Sequence, residues 1–214
     1  MKKNSIENEL KYLLTEADFT KLKRYLKTVY PFSIKTQRNY YFDTSNLELR
    51  AKKIGLRIRY ENKSRTPILT LKFPAKSTVR ALRAFRSRNE IEAKLNSKLA
   101  VGLLKARISF NQIKLPPIAL LNSMVAASLI ESMIPLGSMV NSRIKFKWTN
   151  GLVLELDRFK IFDQIFYELE LETDKPKRGD LLVRELFKDL KIRYKPSGKS
   201  KLARFIELKK KSLS

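Results

Sequence analysis

A chain of 214 residues with 43% hydrophobic residues is long enough to bury a core without staples, and it contains no cysteine and no histidine. The missing cysteine removes disulfides, thiolate nucleophiles and thiolate zinc sites, and the missing histidine removes Ser-His-Asp and Cys-His relays and imidazole metal sites. Chemistry is left to carboxylates, Lys, Arg, Tyr, hydroxyls or an oxygen-bound metal of the Mg2+ or Mn2+ type, while a net charge of +25 gives the sign of a polyanionic partner.

The opening MKKNSIENEL has no apolar stretch behind its lysines, so no secretory leader is expected and the predicted location is cytoplasmic. From Ile6 to Leu14, Glu7, Glu9 and Lys11 sit on alternate positions between Ile6, Leu10, Tyr12 and Leu14. A period of two is the strand period, so this strand has an ionic face and an apolar one. Thr15 with Asp18 then opens a predicted helix over 16–29, striped by Phe19, Leu22, Leu26 and Val29. NYYFDT at 39–44 reads as a strand ending in a turn capped by Asp43 and Thr44. Arg57 and Arg59 alternate with Leu56, Ile58 and Tyr60, and Thr70 and Lys72 with Leu69, Leu71 and Phe73. The polar NKSRTP at 62–67 is the hairpin turn between these two strands. In FRSRNEIEAKL the residues Arg86, Arg88, Glu90, Glu92 and Lys94 share one parity.

A short helix is predicted near 97–106 and a longer one over 117–134, beginning at Pro117. The second is apolar, but Asn122, Ser123, Ser128 and Glu131 interrupt it, so it is a packed helix and no membrane span. Alternation returns with Arg143, Lys145 and Lys147 against Ile144, Phe146 and Trp148. A tight turn at 149–151 leads to Glu155 and Asp157 against Leu152, Leu154 and Leu156, and FYELELET sets Glu168, Glu170 and Glu172 against Tyr167, Leu169 and Leu171. A last helix is predicted over 179–191. SGKSK at 197–201 is no phosphate-binding loop, because Arg193 stands where that motif needs its first glycine and no parallel strand precedes it.

Eight amphipathic strands with ionic faces and a set of helices predict an α+β fold. It is a closed eight-stranded antiparallel β-barrel with helices packed on its outside, formed as a single domain over 1–214. The ionic faces then point inward. So many enclosed charges are tolerable only if opposite signs pair, or if metals and anions neutralise them, and that makes the interior a candidate site.

Seven stretches, in order over residues 6–204, resemble one family: Glu7-x-Glu9-x-Lys11, YFDTSNLELRAKKIGLRIRYE, LTLKFP, RNEIEAKL, LELD, ELELE and KSKLAR. The chain resembles the CYTH superfamily, the triphosphate tunnel metalloenzymes, and within it the single-domain bacterial triphosphatases. The resemblance implies an eight-stranded tunnel in which a triphosphate is hydrolysed with one or two Mg2+ or Mn2+ ions, the substrate being inorganic tripolyphosphate or a nucleoside or thiamine triphosphate. It implies catalytic roles for Glu7, Glu9 and Lys11, and metal binding by Glu7, Glu9, Glu90, Glu92, Asp157, Glu170 and Glu172. Substrate binding falls to Lys11, Arg57, Arg59, Lys72, Arg88, Arg143 and Lys145, with Lys199 and Lys201 as a basic lid beside the tunnel mouth. Lys94, Lys147 and Glu168 are placed at strand ends as structural charges. The alternatives are a class IV adenylate cyclase, a polyphosphate-polymerising tunnel enzyme, and a non-catalytic polyanion- or RNA-binding module. At the inward-facing positions acidic and basic residues are equal in number, so the +25 belongs to the rest of the chain, where RNA or polyphosphate is a candidate partner. Oligomeric state is not legible in the sequence.

Overall fold

The alternating segments form eight strands: β1 (Lys3–Leu14), β2 (Phe32–Asp43), β3 (Gly55–Glu61), β4 (Ile68–Pro74), β5 (Phe85–Lys94), β6 (Ile134–Lys147), β7 (Val153–Ile161) and β8 (Gln164–Glu172). They close into an antiparallel barrel in the order β1-β5-β4-β3-β2-β6-β7-β8. Among the described residues seven α-helices accompany them: α1 (Glu16–Val29), α2 (Glu48–Ala51), α3 (Ser97–Leu104), α4 (Pro116–Met124), α5 (Ala127–Glu131), α6 (Pro176–Asp189) and α7 (Lys201–Lys211). The structure is a computed structural model that describes residues 3–62, 64–75 and 82–211, so residue 63 of the predicted hairpin turn lies outside the described residues. None of the described helices is long and apolar enough to cross a membrane.

The chain groups into two compact units, one built mainly from Gln37–Ala75 and Arg88–Met139, the other mainly from Glu7–Thr36 and Val140 onward. In the first, Leu56 and Ile58 of β3 and Leu69 and Leu71 of β4 share a core with Leu103, Leu121 and Ile130 of α3, α4 and α5. Phe42 meets Phe110 edge-on, with ring centroids 4.9 Å apart. Asp43 closes the end of β2 by accepting hydrogen bonds from the amides of Thr44, Leu49 and Arg50, at 2.8 to 2.9 Å, and Thr44 Oγ1 accepts from the amide of Glu48. The predicted cap is therefore the N-terminal support of α2.

In the second unit, Leu10, Leu154, Leu156, Leu169 and Leu171 from β1, β7 and β8 pack with Leu22 and Leu26 of α1 and Val183 and Phe187 of α6. Burying a side chain of this kind contributes about 1.5–3 kcal/mol. Thr15 caps α1, its Oγ1 accepting from the Asp18 amide at 3.1 Å and donating to the Asp18 carboxylate at 2.7 Å. Gly179 is what lets α6 lie close on the sheet, because a Cβ there would come within 3.0–3.1 Å of Thr173, Leu10 and Leu171.

Four expectations change. The helix expected over 117–134 is two helices, α4 and α5, because Val125 and Ala126 are extended (ψ 159° and 148°) and turn the chain so that both Leu121 and Ile130 reach the core. β6 starts at Ile134 and β2 at Phe32, well before their alternating halves, since Pro135, Gly137 and the exposed residues 32–34 hide the period. α6 begins at Pro176, three residues earlier than the leucine pattern suggests. The four-residue α2 is too short to be seen in the sequence, and α7, whose Ala203, Phe205 and Ile206 are buried, was not anticipated.

Candidate active site

In each unit the helices cover the apolar face of the strands, so the opposite, ionic face is the barrel's inner one. Register sets which charges meet. Across β1 and β8, Lys11 stands opposite Glu170 and Glu9 opposite Glu172; across β6 and β7, Arg143 stands opposite Asp157 and Lys145 opposite Glu155. Across β7 and β8 the pairs are acid against acid, Glu155 with Glu170 and Asp157 with Glu168. Like charges directly opposite destabilise a sheet, so these two rungs survive only with cations set between them.

The second unit supplies those cations. Arg143 grips Asp157 with two hydrogen bonds of 2.7 and 2.6 Å, reaches Glu170 at 2.7 Å and also touches Glu155. Lys11 Nζ lies 2.7 Å from Glu170 and 3.1 Å from Glu9. Lys145 lies 2.5 Å from Glu155. From α7, Lys201 touches Asp157 at 2.7 Å, Glu168 at 3.1 Å and Glu170, and Arg204 reaches Glu168 at 3.3 Å. Asn141 Nδ2 adds a donor to Asp157 at 3.1 Å. Asp157 and Glu168 are 0% exposed, and Glu9, Glu155 and Glu170 are buried with them.

Ionisation follows from this packing. Burial opposes the charge on Glu170, but Lys11, Lys201 and Arg143 outweigh it and hold the carboxyl well below its usual range. For Asp157 burial is likewise overcome by Arg143 and Lys201. Burial also works against the charges on Lys11 and Lys201, and here Glu170 with Glu9, and Asp157 with Glu170, raise them above their ordinary values. Lys11, Lys201, Asp157 and Glu170 are therefore held in their charged forms.

The first unit carries a smaller ionic set on β2 to β5. Lys72 lies 3.0 Å from Glu90, and Arg57 lies 3.5 Å from Glu90 and 4.0 Å from Glu92. Arg59 donates to Asn39 at 3.1 Å and lies 3.6 Å from Glu61, which also accepts from Gln37 at 2.9 Å. Against the cost of burial, Lys72 and Arg57 hold Glu90 below the ordinary range, whereas burial and the neighbouring Glu90 push Glu92 up, and Thr70 donates to Glu92 at 2.9 Å. Arg57 Nε is buried without a hydrogen-bond partner, a spare donor on this face.

The structure thus gathers Glu9, Lys11, Arg143, Lys145, Asp157, Glu170 and Lys201 in one cluster, and Arg57, Arg59, Lys72, Glu90 and Glu92 in another. Glu7 is half-buried on β1, and Glu172 is exposed at the end of β8. Arg88 donates to the Lys53 carbonyl at 2.9 Å, and Lys199 sits at the surface, paired with Glu207 at 2.9 Å instead of entering the cluster. Sequence reading left out Glu155, Arg204, Asn39, Gln37 and Asn141, and it placed Glu168 at a strand end. Glu155 and Glu168 share the parity of their neighbours, which was the available signal, whereas Arg204 needed α7 to be seen.

The donor set suits a hard divalent cation in kind, because every candidate ligand is a carboxylate oxygen and both Glu155 Oε1 and Glu168 Oε2 are buried with no well-directed hydrogen bond, only ion-pair contact to lysine. Among the described residues no group of three or more Asp or Glu side chains presents a ready metal site.

The site is thus a closed antiparallel barrel with carboxylates and cations interleaved on its inner face. The CYTH domain family matches residues 5–206, and the chain belongs to that family. It is 28% identical over 209 residues to "Putative triphosphatase YjbK" of Bacillus subtilis (strain 168), covering 97% of this chain and 98% of that protein. Among solved structures it is similar to HpAC1 from Hippeastrum, reported as a putative adenylyl cyclase with a dominant triphosphatase activity, with a TM-score of 0.80 and 25% identity over 94% of this chain and 95% of that one. It shares its fold with a putative adenylate cyclase of Bacillus halodurans, with a TM-score of 0.76 and 23% identity over 94% of this chain and 98% of that one.

Proposed function

We propose that this protein, acting as a single domain, is a divalent-metal-dependent triphosphatase whose first substrate is inorganic tripolyphosphate, followed by nucleoside or thiamine triphosphates. The observation that carries the reading is the buried, ion-paired cluster of Lys11, Arg143 and Lys201 against Glu9, Glu155, Asp157, Glu168 and Glu170. A core that needed only stability would not enclose it: replacing buried ion pairs by apolar side chains of similar volume is often neutral or stabilising, so the set has another use. YjbK and HpAC1, similar along nearly their whole lengths, carry triphosphatase in their descriptions and support the same reading.

Arg143 and Lys11 donate to phosphate oxygens, the guanidinium as a planar fork and the ammonium as a point charge, and with Lys145 they balance a triphosphate of about four negative charges. Arg57, Arg59 and Lys72 offer donors of the same kind in the other unit. Glu7, Glu9, Asp157, Glu170 and Glu172, with Glu155 and Glu168 added, are the residues that would hold Mg2+ or Mn2+, and Glu90 and Glu92 are the corresponding pair of the first unit. When bound, such an ion would neutralise charge on phosphate oxygens and activate a water for attack. With an ion held by the carboxylates, Lys11, Arg143 and Lys201 would be released from part of their pairing and free to donate to phosphate oxygens.

The test is phosphate release from tripolyphosphate, ATP and thiamine triphosphate with Mg2+, Mn2+ or EDTA, with pyrophosphate and cyclic AMP measured alongside. Release of orthophosphate that EDTA abolishes is expected. Cyclic AMP as the main product identifies a cyclase instead, and tight metal-independent polyanion binding without turnover identifies a binding module.

A further inference from the structure

Asp180, buried on the sheet-facing side of α6, accepts hydrogen bonds from three segments. Tyr12 of β1 donates to its Oδ1 at 2.7 Å, Tyr194 from the segment after α6 donates to the same oxygen at 2.6 Å, and Arg184 Nε donates to Oδ2 at 2.7 Å. Arg184 also donates to the Tyr194 hydroxyl at 2.8 Å and stacks on that ring, its guanidinium carbon 3.8 Å from the centroid. The Tyr194 oxygen thus accepts from Arg184, so its own proton must go to Asp180. Burial and this hydrogen bond push the Tyr194 hydroxyl up to about 12, which keeps it a donor.

The segment that Tyr194 begins is laid along β1. The Leu13 amide donates to the Lys195 carbonyl at 2.8 Å, the Ser197 amide donates to the Lys11 carbonyl at 2.8 Å, and Tyr12 and Pro196 pair as an isolated antiparallel bridge. Ser197 is buried, and at Ser200 the hydroxyl accepts from the Ala203 amide at 3.1 Å as α7 begins. Lys201 follows, in contact with Asp157, Glu168 and Glu170. Two backbone bonds alone hold this segment weakly, because fixing each backbone residue costs roughly 1–2 kcal/mol of conformational entropy.

We propose that Asp180 is a positioning residue: through Tyr12 and Tyr194 it clasps the 194–197 segment to β1 and so fixes where Lys201 and Arg204 meet the carboxylates. A carboxylate is required because all three partners donate, and an amide presents a donor to at least one of them. The kinetic consequence rests on the triphosphatase reading; the structural one does not.

The experiment pairs kinetics with hydrogen exchange. Asp180→Asn is expected to lower kcat/KM for tripolyphosphate with Mn2+ by about tenfold or more, mainly through KM, since misplaced binding groups carry costs of that size. In a Lys201→Ala background the same substitution should cost clearly less than in the wild type, because Asp180 acts largely through Lys201, with Arg204 carrying the remainder. Amide protection at Leu13 and Ser197 should fall, while that of Leu154 and Leu156 in β7 is kept. If Asp180→Asn does not fold, Tyr194→Phe, which deletes only a hydroxyl, is read in the same way. Additive losses in the double variant, or unchanged protection at Leu13 and Ser197, overturn the proposal. A wild-type protein without triphosphatase activity defeats the functional reading alone, and the exchange measurement then decides the clasp.

Discussion

Lys11 and Glu170 stand opposite each other across β1 and β8, 159 positions apart in the chain, with Nζ and Oε1 2.7 Å apart and both side chains buried. Removing one member takes from the other a buried, hydrogen-bonded opposite charge, leaving Glu170 with Arg143 and Lys201, or Lys11 with Glu9. Lys11→Met is expected to destabilise the protein by about 3–5 kcal/mol, whereas Lys11→Met combined with Glu170→Gln should recover part of that loss. Urea unfolding of the two single variants and the double variant measures the coupling. Equal, additive losses contradict the pairing.

Arg143 is the second test. It forks onto Asp157 and also reaches Glu155 and Glu170, a planar geometry that an ammonium cannot copy. Arg143→Lys keeps the charge and is nevertheless expected to lower kcat/KM for tripolyphosphate by at least about tenfold. Steady-state phosphate release decides it. Unchanged kinetics in the lysine variant would show that only the charge at this position matters.

The acid side of the stability curve follows from the carboxylates. Glu90, Asp157 and Glu170 are held below their ordinary range in the folded chain by the cations beside them, despite burial. Groups with depressed folded values add stability that is complete above the unfolded value near ~4 and is lost as pH falls through the lower folded values. Asp43, Glu92 and Glu172, raised chiefly by burial, work in the opposite sense, but Glu170 is held well below its range and Asp180 is lowered as well, its hydrogen bonds from Tyr194, Tyr12 and Arg184 outweighing burial. The urea midpoint should therefore drop as pH is lowered from about 5 towards 2, with a shallower drop in Glu90→Gln. A flat profile over that range would refute the charge assignment.

At Gly179 the contact of α6 with the sheet can be probed directly. An added Cβ meets Thr173, Leu10 and Leu171 at 3.0–3.1 Å, and Thr173 and Leu171 belong to or adjoin β8. Gly179→Ala gains helix propensity of about 0.5–1 kcal/mol but overpacks a tight contact, at a cost of typically 1–3 kcal/mol. A net loss of thermal stability is expected, and Gly179→Val should lose more. Calorimetric melting of the three proteins checks the order.

Sequence and tertiary structure divided the work according to the range of the forces involved. A period of two is a local property, so β1, β3, β4, β5, β7 and β8 were legible in Glu7-x-Glu9-x-Lys11, GLRIRY and FYELELET, and so was the inward direction of their charges. Capping is equally local, which is why Thr15 and Asp43 were found. Where Pro135 and Gly137 or a polar start blurred the pattern, β6 and β2 were read short; where Val125 and Ala126 turned extended, one predicted helix became α4 and α5.

Local pattern thus supplies the residue inventory and the face on which each residue lies: carboxylates, lysines and arginines inside, leucines against the helices. Which charges meet is a matter of long-range packing. Strand register set acid against acid across β7 and β8, and the packing of the C-terminal segment on β1 delivered Lys201 and Arg204 to them while leaving Lys199 at the surface with Glu207. Charge pairing over separations of up to 159 positions is fixed by backbone geometry that no local pattern encodes, and that geometry turns a set of charged positions into a site.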